Sequence, residues 1–170
     1  GITVNLAAGT VTGDPTLTGS DTLQSIEAIR GSHQADSYNA VGFSDTSTNA
    51  SSTGTLNEFE GMAGNDTITG NGSTRLIFVN AREGVSVNLQ AGTAVGGASV
   101  GSDTFSGVHE VAGSNFDDVL TGSASNDALE GHRGNDVLRG GLGADVLNGD
   151  AGSDRIDFAS AQRTSRRESA

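Results

Sequence analysis

Large aliphatic residues recur every nine positions along 113–157, at Leu120, Leu129, Leu138, Leu147 and Ile156. Each closes a unit that opens with Gly (Gly113, Gly122, Gly131, Gly140, Gly149) and carries Asp at its sixth position (Asp118, Asp127, Asp136, Asp145, Asp154). The residue after the aliphatic is unconstrained, reading Thr121, Glu130, Arg139, Asn148 and Asp157. Side chains alternate across a strand, so one inward aliphatic per unit predicts a three-residue strand. The remaining six residues form a turn, in which Gly at positions one, two and four permits φ > 0. A turn and a strand make half a coil of a flattened roll. Two units complete the coil, and turns eighteen residues apart stack.

Upstream the pattern changes to alternation. Ile2, Val4 and Leu6 in one segment, and Val85, Val87 and Leu89 in another, read as half-buried strands of period two. These segments belong to a long internal repeat: 1–13 matches 84–96, and 19–36 matches 101–118. Pro15 supplies a turn where the two copies slip by one residue. Both copies continue into an apolar pair three apart, Ile26/Ile29 and Val108/Val111, which predicts two short strands meeting around a corner. Residues 43–57 are rich in Ser, Thr and Asn and predict an exposed loop, while 76–79 (LIFV) predicts a short buried strand. Two further units of nine stand apart from the tandem run. Residues 61–69 place Asp66 sixth and Ile68 eighth, and 31–39 place Asp36 sixth and Tyr38 eighth. No matching turn lies eighteen residues from Asp66, which weighs against metal binding there, and Asp36 reads as a simple turn residue.

Composition sharpens this picture. Apolar residues make up 34% of the 170 and aromatics 4%, too few for a conventional two-layer core, yet 26 Gly together with the strict periodicity argue against plain disorder. A thin core closed by backbone hydrogen bonds and metal fits both. The formal charge is −12, and all nine basic residues are Arg. Such a surface repels nucleic acid and anionic lipid and attracts small cations. The absence of Cys excludes disulfides and thiolate metal sites. No apolar run approaches the ~18 residues of a membrane span. Gly1 aligns with an internal position of the second copy, so upstream sequence is expected to be missing.

The units of 113–157 resemble the nonapeptide GGxGxDxUx of RTX (repeats-in-toxin) proteins, a calcium-binding parallel β-helix signature. The longer unit, over about 1–40 and 84–122, resembles the module (roughly GVTVNLATGT…GDTLSGIENVxGS) that interrupts RTX nonapeptides in large secreted bacterial proteins. The resemblance implies an all-β fold: a parallel β-roll, or right-handed parallel β-helix (solenoid), with calcium bound in the turns. Its expected organisation is a first module at 1–40, a spacer at 41–83 holding the unit 61–69, a second module at 84–112, five tandem nonapeptides at 113–157 and a tail at 158–170. In RTX rolls an ion takes positions two, four and six of one turn and one, three and six of the turn eighteen residues on, mostly through backbone carbonyls. Carried over, this gives three candidate calcium sites. The first joins Ser114, Phe116 and Asp118 to Gly131, Arg133 and Asp136. The second joins Ser123, Ser125 and Asp127 to Gly140, Leu142 and Asp145. The third joins His132, Gly134 and Asp136 to Gly149, Ala151 and Asp154, and is expected to be the best formed because both its turns keep Gly at one and four. Phe116 and Ser125 stand where the family has Gly, so the first two sites are expected to be weaker.

The remaining chemistry is sparse. His33, His109 and His132 have no zinc-like spacing and read as surface or turn residues, and Glu58 and Glu60 read as a solvated face. No nucleophile elbow, P-loop or dinucleotide fingerprint is present, so no catalysis is expected. The basic tail (Arg163, Arg166, Arg167) is incidental on so acidic a body. The expected function is that of a calcium-binding structural segment of a larger secreted bacterial protein, folding outside the cell. The alternatives are part of a secreted carbohydrate-active lyase or epimerase, or an adhesin stalk meeting an extracellular surface or polysaccharide. An ice-binding face is disfavoured, since position three reads Asn115, Ala124, Arg133, Leu142 and Ala151, which is no regular array.

Overall fold

The computed structural model describes residues 1–16, 18–50 and 54–158, and in them every regular element is a strand. Short strands flanked by Gly-rich turns cannot bury a face alone, so they stack as coils into two ladders. On one face β1 (Thr3–Asn5) pairs in parallel with β5 (Ser37–Asn39), and β5 with the start of β7 (Thr67–Ile77). The start of β7 pairs with the start of β10 (Ser102–Ala112). The same face continues through the antiparallel strands β9 (Thr93–Val95) and β8 (Ser86–Asn88). It then returns to parallel pairing through β11 (Val119–Thr121), β13 (Val137–Arg139) and β15 (Arg155–Ile156).

The opposite face runs through β4 (Ala28–Arg30), β6 (Asn57–Glu60) and the end of β7, all in parallel. It then adds the end of β10, β12 (Ala128–Glu130) and β14 (Val146–Asn148). Strands eighteen residues apart pair residue for residue, Leu120 with Leu138 and Leu129 with Leu147. The stacking expected from the nine-residue period is thus the observed register.

One buried cluster lies between the faces. Val4, Tyr38, Ile68, Leu120 and Leu138 enter from the first, and Phe59, Leu76, Val111 and Leu129 from the second. The Tyr38 and Phe59 rings stack across the core with centroids 4.6 Å apart. In β11, β12 and β13 only the middle residue is buried, as one inward side chain per unit requires. At the C-terminal end Leu147 is only partly covered and Ile156 is exposed, because fewer coils stack on them.

The two copies of the long repeat fold alike. Residues 1–12 form the hairpin of β1 with β2 (Thr10–Thr12), which continues antiparallel into β3 (Ser20–Thr22). In the second copy β8, β9 and β10 repeat this meander. The corner after it is formed as expected, by different means in each copy. In the first, Ser25 adopts φ 54° between β3 and β4. In the second, β10 runs unbroken through Gly107 at φ 65°, with register shifts on either side of Val108.

Three expectations need correction. Residues 76–79 are not a separate strand, since β7 runs continuously from 67 to 77 and turns the same corner. The loop after 43 is not wholly exposed: Phe43 is in the core, and buried Asn49 accepts the Ile26 amide at 2.9 Å and donates to its carbonyl, anchoring the loop. Residues 51–53 of that loop, and all of the tail beyond 158, lie outside the described residues. Glu58 and Glu60 are no solvated face. Glu60 is buried, 2.9 Å from Arg30 and hydrogen-bonded by Asn80, while Glu58 and Glu130 both pair with Arg75. No helix in the described residues is long and apolar enough to cross a membrane.

Candidate metal centre

The position-six aspartates line up because the coils stack, and each carboxylate meets the backbone of the coil before it. Asp118 donates its amide to Asp136 Oδ1 at 2.8 Å, and Asp136 donates to Asp154 Oδ1 at 3.0 Å. On the other edge Asp127 donates to Asp145 Oδ1 at 3.0 Å. The two aspartates of each expected site are therefore brought together. In the first, Gly134 packs directly on the Phe116 carbonyl. In the second, Leu142 donates its amide to the Ser123 carbonyl at 3.0 Å, and Gly143 lies on the Ser125 carbonyl. In the third, Ala151 donates to the His132 carbonyl at 2.7 Å, and Gly134 donates to the Ala151 carbonyl at 3.1 Å. The side chains of Phe116 and Leu142 point to solvent, so only their backbone faces the turn stack.

Two kinds of turn occur in this stack, and position two decides between them. Where it is Ser, the turn closes on itself. The amides of Ser32, Ser114 and Ser123 donate to Asp36, Asp118 and Asp127 at 2.5–2.6 Å, and their hydroxyls bond the same carboxylates at 2.8–2.9 Å. Such local side-chain bonds saturate the carboxylate within its own turn. Where position two is Met62, His132, Gly141 or Asp150, the backbone is left-handed instead, with φ 67°, 71°, 98° and 61°. In the turns of Met62 and His132, Asp66 Oδ2 and Asp136 Oδ2 are left buried with no hydrogen-bond partner. A buried carboxylate oxygen without a partner costs on the order of 1–3 kcal/mol or more, so the arrangement calls for a cation.

The donors fit calcium. Carboxylates and backbone carbonyls converge on the turn stack, and a hard divalent cation takes six to eight such oxygens at flexible geometry. The third site couples a left-handed first turn, an unpartnered Asp136 oxygen and a second Asp; the first two begin on turns that Ser has closed. Phe116 and Ser125 are the departures from the family pattern at these two sites, but the hydroxyls of Ser114 and Ser123 are the structural distinction.

Two groups make contacts that the nonapeptide pattern in the sequence does not predict. Asp66 does have stacked neighbours, though not at eighteen residues. Asp36 donates its amide to Asp66 Oδ1 at 2.8 Å, and Asp66 donates to Asp103 Oδ1 at 2.9 Å. The loop after 43 and the β8–β9 hairpin lengthen the chain between these turns without changing the stack. His109 stands eighteen residues before Asp127, at position six of its coil, with Nδ1 3.1 Å from Asp127 Oδ1. It joins the second carboxylate ladder through this contact while its side chain stays partly exposed. Outside the roll, His132 Nδ1 lies 3.5 Å from Asp150 and 3.7 Å from Glu130.

Residues 53–74, 110–138 and 130–160 match the family model of the RTX calcium-binding nonapeptide repeat, in four copies. This chain carries RTX calcium-binding repeats. The RTX segments include the turn of Asp66 as well as the tandem run, and the all-β, mainly parallel fold is the one the RTX roll requires. No curated protein matches the chain.

The electrostatics of the RTX turns are first those of buried carboxylates. Burial pushes Asp66 up to about 7, opposed by the Asp36 amide and reinforced by the charges of Asp103 and Asp36. Burial likewise pushes Asp103 up to about 6 and raises Asp118 and Asp136. A carboxylate raised above its ordinary value near 4 favours the fold while protonated, and that stability is lost as pH climbs through the folded value. In EDTA the β-sheet circular dichroism signal is therefore expected to grow as pH falls from 8 to 5. In millimolar calcium the metal holds the ionised form and the trend reverses. A signal in EDTA that weakens over that acidification contradicts the account.

Proposed function

We propose that this RTX segment is a calcium-dependent structural unit of a larger secreted bacterial protein, one that folds on meeting extracellular calcium and performs no catalysis itself. The observation that carries the reading is the unpartnered, buried oxygen of Asp136 between the carboxylates of Asp118 and Asp154. Calcium there would be held by Asp136 and Asp154 with carbonyls of His132, Gly134, Gly149 and Ala151. Bound calcium supplies positive charge that lets ionised carboxylates pack, and the chain supplies the stacked turns that present them. Ser123, Ser125, Asp127, Gly140, Leu142 and Asp145, and likewise Ser114, Phe116, Asp118, Gly131, Arg133 and Asp136, would hold further ions more weakly. In the calcium-poor cytosol the same charges repel, which suits a chain exported before it folds. Isothermal titration of calcium into the whole 170-residue chain tests the reading. Several ions should bind, with dissociation constants of order 10⁻⁴–10⁻³ M for an extracellular module. Absence of binding at several millimolar calcium refutes it.

A further inference from the structure

The tripeptide Gly101-Ser102-Asp103 lies outside every match to the nonapeptide model, at the entry of β10. Its contacts with the turn 61–66 nevertheless reproduce those that Gly152-Ser153-Asp154 makes with the turn 131–136. Ser102 donates its amide to Asn65 Oδ1 at 3.0 Å, as Ser153 does to Asn135 Oδ1 at 3.0 Å. Asp103 Oδ1 accepts the Asp66 amide at 2.9 Å, as Asp154 Oδ1 accepts that of Asp136 at 3.0 Å. Thr104 donates to the Asp66 carbonyl at 2.9 Å, as Arg155 does to that of Asp136 at 2.8 Å. Gly101 rests on the Gly64 carbonyl and Gly152 on the Gly134 carbonyl, each too close for any side chain. The turns above agree too: Met62 and His132 at φ 67° and 71°, Gly64 and Gly134 at φ 130° and 129°. Asp66 Oδ2 and Asp136 Oδ2 are, with one Glu27 oxygen, the buried side-chain oxygens left without a partner among the described residues.

We propose that Gly101-Ser102-Asp103 acts as half of a nonapeptide turn and completes a further calcium site with the turn 61–66, held by the carboxylates of Asp66 and Asp103 and the carbonyls of that turn. The inference rests on the reading of Asp136 and Asp154 as a calcium pair. Positions one to three of the lower turn have no counterpart: Val100 donates its amide to the Gly97 carbonyl at 3.1 Å and belongs to the hairpin, whereas Ala151 reaches the turn above it. The hybrid site has fewer protein oxygens than the one at Asp136, and its ion binds less tightly. The first copy of the long repeat supplies an internal control. Gly19-Ser20-Asp21-Thr22 repeats Gly101-Ser102-Asp103-Thr104, but among the described residues no turn stacks above it: Gly19 has open space around it and Asp21 is exposed on β3.

Calcium titration calorimetry on the full chain separates the possibilities. Asp103→Asn keeps the oxygen that accepts the Asp66 amide and removes the charge, and it should lower the number of bound ions by one. Asp21→Asn makes the same change in the same tetrapeptide and should leave the number unaltered. Asp154→Asn should remove a different, tighter ion. An unaltered count in Asp103→Asn overturns the hybrid site while loss in Asp154→Asn leaves the general reading standing; retention in Asp154→Asn sinks the general reading instead. Should Asp103→Asn fail to fold in calcium, difference density from wild-type crystals grown in calcium decides the matter. An ion bonded to both Asp66 and Asp103 supports the proposal, and an ion-free gap there refutes it.

Discussion

In excess EDTA at pH 7.5 the chain is expected to lose most of its β-sheet circular dichroism signal and to regain it on adding several millimolar calcium. The core is thin: in each tandem unit only the middle strand residue is buried, and the last two units cover theirs poorly. Against it stand four carboxylates raised by burial, two of them with unpartnered oxygens. A site with a dissociation constant of about 0.1 mM contributes roughly 1.4 kcal/mol at millimolar calcium, through RT ln(1 + [L]/Kd). Three such sites contribute about 4 kcal/mol, close to the net stability of a small domain. Removing that term while leaving the repulsion in place tips the balance to the unfolded chain. A spectrum unchanged by EDTA would show that the aliphatic stack and backbone ladders suffice without metal.

Asp136→Asn is expected to have opposite effects with and without calcium. Asp136 occupies position six in both the first and the third candidate sites. It accepts the Asp118 amide at 2.8 Å and donates its own to Asp154 at 3.0 Å. Asparagine keeps an acceptor for the Asp118 amide, so the backbone stack survives, but a neutral amide is a poorer calcium ligand. With both sites weakened, about 3 kcal/mol of metal-derived stability is at stake by the same relation. The calcium concentration needed for half-folding should rise about tenfold or more. In EDTA the sign inverts, since the substitution removes a buried charge facing Asp118 and Asp154. Chemical denaturation in the two conditions measures both effects. Destabilisation of equal size in each would assign Asp136 a purely local turn role.

How much of this was readable in the residues differs from one part of the chain to another. The tandem run was legible because nothing interrupts it. With nine residues per half coil, Leu120 must lie on Leu138 and Asp118 on Asp136, and the registers follow. Period-two alternation likewise placed Val4 and Val87 inward. At Asp66 an eighteen-residue spacing is no test of stacking. Its neighbours lie 30 and 37 residues away, and only the folded chain shows that the intervening loop and hairpin leave the stack undisturbed. Position six of the coil before Asp127 went unseen for a related reason, since His109 lies in a module whose repeat is not nine residues long.

The sequence by itself determined the architecture: an all-β roll with one aliphatic inward per half coil and aspartates stacked along its edges. That information is carried by a period, and a period survives without knowledge of distant contacts. Only the tertiary structure decided which carboxylates are already satisfied and which are not. Ser114 and Ser123 close their turns, whereas Met62 and His132 leave an Asp oxygen without a partner. It also decided that a hairpin residue, Asp103, completes a turn begun by Asp66. Both follow from backbone hydrogen bonding between coils, which fixes what lies above what regardless of how many residues are looped out in between.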